Sequence, residues 1–312
     1  MANFPYFVVN LSIMEEKSTL KSFKVSPYFS IKHTNYFEIY DTLLSQFIDR
    51  EIVFLEVGIL DGGSLFMWRD FFGEKARIIG VDLNPEAIKW REYGFEIYIG
   101  DQSDPKFWSD LFKTVGAVDV ILDDGGHRND QQIATLTGAL PHVKDGGLII
   151  VEDTQTSFMK FESFQKYSFV GFLKTKIKSL YARSDELVLS SDIYSRTVHS
   201  IEFFTGICVL HIDRTKCANT QRIENDGARN NSDDFRYDND GRLLNFLRFS
   251  YDWISWDHIS EKRLKKYPLI CKILRLQVIR FTLRIFIVPI RFFFYLQIRI
   301  CNFFNLRKIL RG

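Results

Sequence analysis

Two short apolar runs, residues 120–122 and 148–151, each end in a pair of acids: Asp123–Asp124 and Glu152–Asp153. Val118 extends the first run across Asp119, and between the runs lie a Gly-Gly-His turn, a helix-length stretch and a Gly-Gly stop. Continuous apolar runs are the mark of buried parallel strands, and a helix between two of them makes a β-α-β unit. A right-handed crossover returns the second strand parallel to the first. If the two strands are neighbours, their ends lie about 5 Å apart. Asp124, Glu152 and Asp153 then converge at the carboxyl edge of the sheet, with His127 on the loop above. Open α/β sheets place their ligands along that edge. Carboxylates held so close repel one another, and a divalent cation relieves the repulsion. The cluster reads as a metal site with a base beside it.

The stretches before it fit the same plan. Residues 52–57 form an earlier buried strand that runs into Glu56-Val-Gly58-Ile-Leu-Asp-Gly62-Gly63-Ser64. Glycines at a strand-to-helix turn let a cofactor approach the backbone, with helix N–H groups aimed at it. They also serve plain tight packing, and the stretch alone leaves both readings open. Strand 76–81 ends in Asp82, roughly 20 residues beyond the glycine turn, the place of a ribose-binding acid. An Asp there also suits a helix cap, since Asn84-Pro85 reads as a helix start. A third strand, 95–99, gives way to Gly100-Asp101-Gln102, either a loop that touches the cofactor's base or a simple turn. Ahead of these, residues 34–47 carry Tyr36, Phe37, Tyr40, Leu43, Leu44 and Phe47 at helical spacing, as a cover for the sheet edge or a packing helix. Residues 1–32 show no period and read as a loosely structured lead-in.

Beyond Asp153, residues 169–180 form an amphipathic helix within a substrate-side insertion. Residues 198–204 and 207–212, split by Thr205-Gly206, give a hairpin signal. His199 and His211 fall on these strands and read as packed or edge histidines. The organisation expected is a lead-in and cap helix over 1–50, a core over 51–214, a polar linker over 215–242 and a basic helical tail over 243–312. In the tail, Arg280, Arg284 and Arg291 interrupt every apolar window, whereas a membrane span needs about 20 apolar residues. Arg291 at mid-membrane would cost about 2.5–3.5 kcal/mol. Residues 269–310 are therefore expected to lie on an anionic membrane surface, with packing on the chain's own domain or on a second copy in a homo-oligomer as the alternative.

The charges nearly balance, 41 basic against 39 acidic residues, and the core carries no basic stripe, so a nucleic-acid partner is not expected. The four cysteines show no CxxC spacing, which suits reduced thiols in the cytoplasm, here at the inner face of the membrane. The N-terminus lacks a basic start and a small-residue cleavage site and makes a poor signal peptide.

Taken together, FLEVGILDGGSLFMWRDFF, ARIIGVDLNPEA, GFEIYIGDQSD, DVILDDGGH and GGLIIVEDTQTS resemble the ordered motifs of class I S-adenosylmethionine-dependent methyltransferases. The chain is similar in particular to metal-dependent sugar O-methyltransferases of macrolide tailoring, and to rhamnosyl O-methyltransferases and cephalosporin hydroxylase-like proteins. SIKHTNYFEIYDTLL and SIEFF extend the resemblance over about residues 30–213. It implies a Rossmann-like, doubly wound, mostly parallel seven-stranded sheet closed by an antiparallel hairpin. It implies S-adenosylmethionine contacts at Glu56, Gly58, Gly62, Ser64, Asp82, Asp101 and Asp123. Asp124, Glu152 and Asp153 match the ligands of a divalent metal such as Mg²⁺, and His127 matches a general base. The acceptor implied is a saccharide or glycosylated small molecule. The second glycine of DDGGH stands where some relatives carry Ser. Two other readings remain: an oxidoreductase or hydroxylase of the same fold, and a non-catalytic cofactor-binding protein of the membrane surface. The first lacks a visible two-His-one-carboxylate spacing; the second would leave a costly acidic cluster without a ligand.

Overall fold

The computed structural model describes residues 17–159, 167–184 and 191–228. The basic tail, the rest of the linker and parts of the insertion (160–166 and 185–190) lie outside the described residues. The described residues up to Glu224 belong to one compact unit, and the chain from Asn225 on falls in a second.

Seven strands make one sheet: β1 (Val53–Val57), β2 (Arg77–Asp82), β3 (Glu96–Ile99), β4 (Val118–Asp123), β5 (Val143–Val151), β6 (Val198–Phe203) and β7 (Cys208–Ile212). Their order is β3-β2-β1-β4-β5-β7-β6. The first five pair in parallel, while β7 runs antiparallel to β5, and β6 to β7. This is the doubly wound sheet with a closing hairpin that the sequence implies. Strand order reverses between β1 and β4, and open sheets hold their ligands at the carboxyl ends beside such a reversal.

Helices α1 (Thr19–Val25), α2 (Tyr36–Leu44) and α3 (Gly63–Phe72) precede or follow β1. Helix α4 (Pro105–Val115) leads into β4, and α5 (Asn129–Ala139) joins β4 to β5. Helices α6 (Phe169–Tyr181) and α7 (Ile193–Thr197) precede the hairpin. Successive strand residues point to opposite sides, so each strand feeds two cores. Phe54, Val120, Leu122, Leu148 and Ile150 pack with α2 and α3. Leu55, Ile121, Ile149 and Val151 pack on the other side with α4, α5 and α6.

Two expectations are corrected. Gly146 and Gly147 are not a stop before the second strand; they lie inside β5, which starts at Val143. Gly146 takes φ +82°, and the β4–β5 register shifts between Val118 and Val120. A Cβ on Gly147 would fall 2.4 Å from the Asp119 carbonyl oxygen, so strand contact there requires glycine.

The lead-in, from residue 17 on, is ordered by packing rather than by any period of its own. Ser18 caps α1, and the Thr19 backbone N–H and hydroxyl both donate to Asp41 Oδ1 of α2, at 2.7 and 2.8 Å. The chain then crosses the start of α3. Ser26 Oγ donates to the Gly63 carbonyl at 2.7 Å, and the Gly63 N–H donates to the Phe29 carbonyl at 3.3 Å.

Candidate active site

Strand parity decides where each acid goes. Glu56 follows Leu55 in β1 and so shares the side of Phe54, facing α2 and α3; by the same alternation Glu152 shares the side of Ile150. Asp123 faces the other way, towards α5, and Asp124 returns to the first side. The chain thus splits its Asp-Asp pair between two environments.

On the α5 side, Asp123 is 1% exposed. Gln102 Nε2 donates to both its oxygens at 3.0 and 3.2 Å, and the Gly125 N–H donates at 3.2 Å. Gln102 also accepts from the Gly126 N–H at 2.9 Å, so one amide ties the loop after β3 to the loop after β4. Burial raises the Asp123 carboxyl above its ordinary range, against these hydrogen bonds. A Cβ on Gly126 would meet the flexible end of Gln131, so a Ser there asks only for a side-chain shift.

On the other side the partners are charged. Lys32, 1% exposed at its side chain, puts Nζ 2.5 Å from Asp124 Oδ2 and 3.0 and 3.1 Å from the two Glu152 oxygens. Glu56 Oε1 lies 3.8 Å from the same ammonium. Glu56 also accepts from Ser64 Oγ at 2.7 Å and Trp68 Nε1 at 3.1 Å, and the Tyr40 hydroxyl donates to Glu152. Burial works to lower the Lys32 ammonium, but Asp124, Glu152 and Glu56 outweigh it and hold the charge on. Burial likewise pushes Glu56 up to about 7 and Glu152 up to about 8, with Lys32 pulling both back.

Asp153 stands at the mouth. Its Oδ1 accepts from the Tyr36 hydroxyl at 2.7 Å and Gln155 Nε2 at 2.9 Å, and His33 Nε2 lies 3.6 Å from it. Its Oδ2 faces His127 Nε2 at 3.3 Å, and Asp124 Oδ1 is 4.0 Å from the same nitrogen. Burial would raise the Asp153 carboxyl, but the hydroxyl, the amide and the two imidazoles hold it below the usual range. One ligand atom each from Asp124, His127 and Asp153 falls within 4.8 Å of the others. Two carboxylates from neighbouring strand ends suit a hard divalent cation.

These groups open into a cavity of about 560 Å³ that runs from Ser30 and Ile31 past the glycine turn to Asp82, Asp101 and Gln131. Of the residues expected to touch a cofactor, Gly58, Ser64, Asp82 and Asp101 line it. Glu56, Gly62 and Asp123 do not: the first and last are buried behind its wall, and Gly62 packs against Trp90. Glu152 also stays behind the wall, whereas Asp124, His127 and Asp153 line the cavity. Asp82 accepts from the Ile59 N–H at 3.0 Å and the Asn84 N–H at 2.8 Å; Asn84, not Asp82, caps the following turn. Asp101 is exposed, and the Ser103 hydroxyl and N–H hold its carboxyl below the usual range. Gly58 has φ +82°, and a Cβ there would strike the Asp124 carbonyl oxygen at 2.2 Å, so the two loops meet only through glycine.

Backbone strain gathers here too. Among the described residues, Leu60, His127 and Asp153 line the cavity at φ of 43°, 54° and 51°, values that non-glycine residues seldom adopt. Each costs on the order of 1–3 kcal/mol and persists where a site requires the geometry. Lys32, Tyr36, Tyr40 and Gln102 were not legible as site residues. The tyrosines sit on a segment that reads either as a cover for the sheet edge or as a packing helix, Lys32 falls in the family-like stretch 30–44 with no role of its own, and Gln102 closes a loop that reads either as a cofactor contact or as a simple turn.

A family model described as a methyltransferase domain matches residues 55–154. The 8-demethyl-8-alpha-L-rhamnosyl tetracenomycin-C 2'-O-methyltransferase of Streptomyces olivaceus is 31% identical over 193 residues, covering 56% of this chain and 49% of that protein. Mycinamicin VI 2''-O-methyltransferase of Micromonospora griseorubida is 30% identical over 148 residues, covering 45% and 36%. The chain thus spans about half or less of the length of these curated relatives. The solved MycE methyltransferase from the mycinamycin biosynthetic pathway, in complex with Mg and SAH, aligns with TM-score 0.54 and 25% identity over 60% of this chain and 50% of that one. A second MycE structure, which also holds mycinamycin VI, gives TM-score 0.57 at 24% identity over 65% and 54%. Residues 55–154 thus match a methyltransferase-domain model within a Rossmann-like sheet, and the chain is similar to proteins named as O-methyltransferases of rhamnosyl tetracenomycin and mycinamicin.

Proposed function

We propose that the protein is an S-adenosylmethionine-dependent, divalent-metal-assisted O-methyltransferase that acts on a sugar hydroxyl of a glycan or glycosylated metabolite. The observation that carries this reading is the meeting of Asp124, Asp153 and His127 on the same cavity as the glycine turn and Asp82. Relatives named as methyltransferases of rhamnosyl and mycinamicin hydroxyls, and a neighbour solved with Mg and SAH, support it.

A sugar hydroxyl is a poor nucleophile at neutral pH, and Mg²⁺ held by Asp124 and Asp153 would supply the polarisation that lowers its pKa. His127 Nε2 stands 3.3 Å from Asp153, at the edge where that hydroxyl must lie, and takes its proton as the methyl moves. Tyr36 and Gln155 hold Asp153 in place beside it. Asp82 would accept hydrogen bonds from the ribose hydroxyls of a bound methyl donor, Asp101 would accept from its exocyclic amine, and Gly58 would let the donor lie against the backbone. Holding donor and acceptor in line supplies much of the remaining rate.

The test is incubation of the full chain with methyl-labelled S-adenosylmethionine and rhamnose-bearing glycosides or extracted glycolipid, with and without EDTA. Label should pass to the carbohydrate, stop with EDTA and resume with Mg²⁺. Transfer that EDTA leaves undiminished would overturn the metal's part in the reading.

A further inference from the structure

Helix α6 buries Phe169, Val170 and Leu173 and leaves Lys174, Ile177, Lys178 and Tyr181 exposed. At 100° per residue these last four share one face. We propose that this face docks the protein on an anionic lipid surface, where the mouth of the cavity meets a saccharide carried on lipid. The docking face stands on its own observations, and the acceptor it implies rests on the methyltransferase reading above.

Three observations lead here. First, the charge is of one sign. Residues 167–184 hold three lysines and an arginine and no acid. Lys176 turns inward, with its ammonium 3.8 Å from Asp192 and 4.6 Å from the centre of the Tyr194 ring. Lys174 and Lys178 are exposed and make no ion pair among the described residues. Second, apolar groups stand open among these lysines: Tyr181 is 61% exposed, Ile177 36%, and Tyr167, just ahead of the Ser168 cap, 66%. The cores of protein interfaces are depleted in lysine. Lysines beside open aromatic and aliphatic side chains suit the head groups and the acyl boundary of an anionic bilayer. A helix of 13 residues is too short to span, and its other face is already in the core, so it lies along the surface. Third, the helix is rooted at the site. The Phe169 N–H donates to Asn129 Oδ1 at 2.8 Å, and the Val170 N–H donates to Ser157 Oγ at 3.2 Å. Asn129 follows His127 by two residues, Ser157 follows Asp153 by four, and Thr156 Oγ1 donates to the His127 carbonyl at 3.0 Å. Phe158 and Met159, both exposed, continue the apolar groups at that end.

The test is lysine acylation of the full chain, read residue by residue by mass spectrometry, with vesicles of phosphatidylcholine alone or of equal parts phosphatidylcholine and phosphatidylglycerol. Neither methyl donor nor acceptor is present, so the result does not depend on the methyltransferase reading. Anionic vesicles should slow acylation of Lys174 and Lys178 by about tenfold, and neutral vesicles should not. Lys75, exposed just before β2 at the other end of the sheet, should react at the same rate throughout. Unchanged rates at Lys174 and Lys178, equal protection by both kinds of vesicle, or equal protection of Lys75 would overturn the docking face, even if the protein sediments with the vesicles. Lys174→Glu combined with Lys178→Glu should then lower methyl transfer to glycolipid in the anionic vesicles by about tenfold or more, and leave transfer to a soluble rhamnoside as in wild type. Loss on both acceptors, or on neither, would overturn the lipid-borne acceptor. If wild type methylates neither, the methyltransferase reading fails and the acylation pattern still decides the docking face.

Discussion

Asp123 and Asp124 are neighbours in the chain, yet the fold treats them in opposite ways. Asp123 points to the α5 side and is met by an amide and a backbone N–H, which let a nearly inaccessible acid sit in a polar but uncharged nest. Asp124 points to the α2 and α3 side and is met by a lysine, two glutamates nearby and an imidazole. The first arrangement is complete within the described residues and explains how two loops are joined. The second presents Asp124 to a cavity beside the ammonium of Lys32. In the proposed function, reaction chemistry belongs to the second face, and the first keeps it in register.

Substitutions can break that contrast. Asp124→Ala should lower turnover roughly a thousandfold and abolish the response to Mg²⁺, since a Lewis-acid contribution is worth several kcal/mol. His127→Ala should lower turnover by about a hundred- to ten-thousandfold while S-adenosylhomocysteine binding, measured by calorimetry, stays as in wild type. On the opposite face, Asp123→Ala should act through stability. It leaves the Gln102 amide short of its main acceptor and should cost about 1–3 kcal/mol in chemical denaturation, with Mg²⁺ dependence retained. Were Asp123→Ala to abolish the metal response and Asp124→Ala to spare it, the division between faces would be wrong.

A pH series sharpens the same point with a smaller effect. Glu56 and Glu152 sit at about 7 and about 8 in the folded chain, above an unfolded value of about 4.3. Between those limits the folded state binds more protons than the unfolded one, so stability without added metal should fall as pH rises from about 5 to 8. The slope is at most about 1.4 kcal/mol per pH unit for each group. Denaturation midpoints that rise over this window would contradict the burial of these two carboxyls among like charges.

The sheet was legible because its strands are apolar runs with acids or glycines at their ends, and these features are local. The convergence of Asp124 and Asp153 followed from the β-α-β unit, for the same reason. The separation of Glu56, Asp123 and Glu152 from the cavity was not legible, because it depends on strand parity and on what covers each face. Lys32 was hidden more deeply. It lies in a stretch with no period, held by a hydroxyl and backbone contacts on α3 some thirty residues away in the chain. Tyr36 and Tyr40 read as part of a sheet-edge cover or a packing helix, and their rings do pack; only their hydroxyls, at the far ends of buried rings, serve the acids. The 160–166 and 185–190 segments and the basic tail lie outside the described residues, so the membrane-surface and oligomer expectations stay as the sequence left them.

The central claim is that Asp124 and Asp153 seat a divalent ion beside His127. Anomalous diffraction from crystals grown with Mn²⁺ and S-adenosylhomocysteine tests it most directly. A peak within coordination distance of both carboxylates, on the cavity side of Lys32, is the predicted result. No peak there in crystals that clearly hold S-adenosylhomocysteine, or a peak at some other group of acids, would contradict the account.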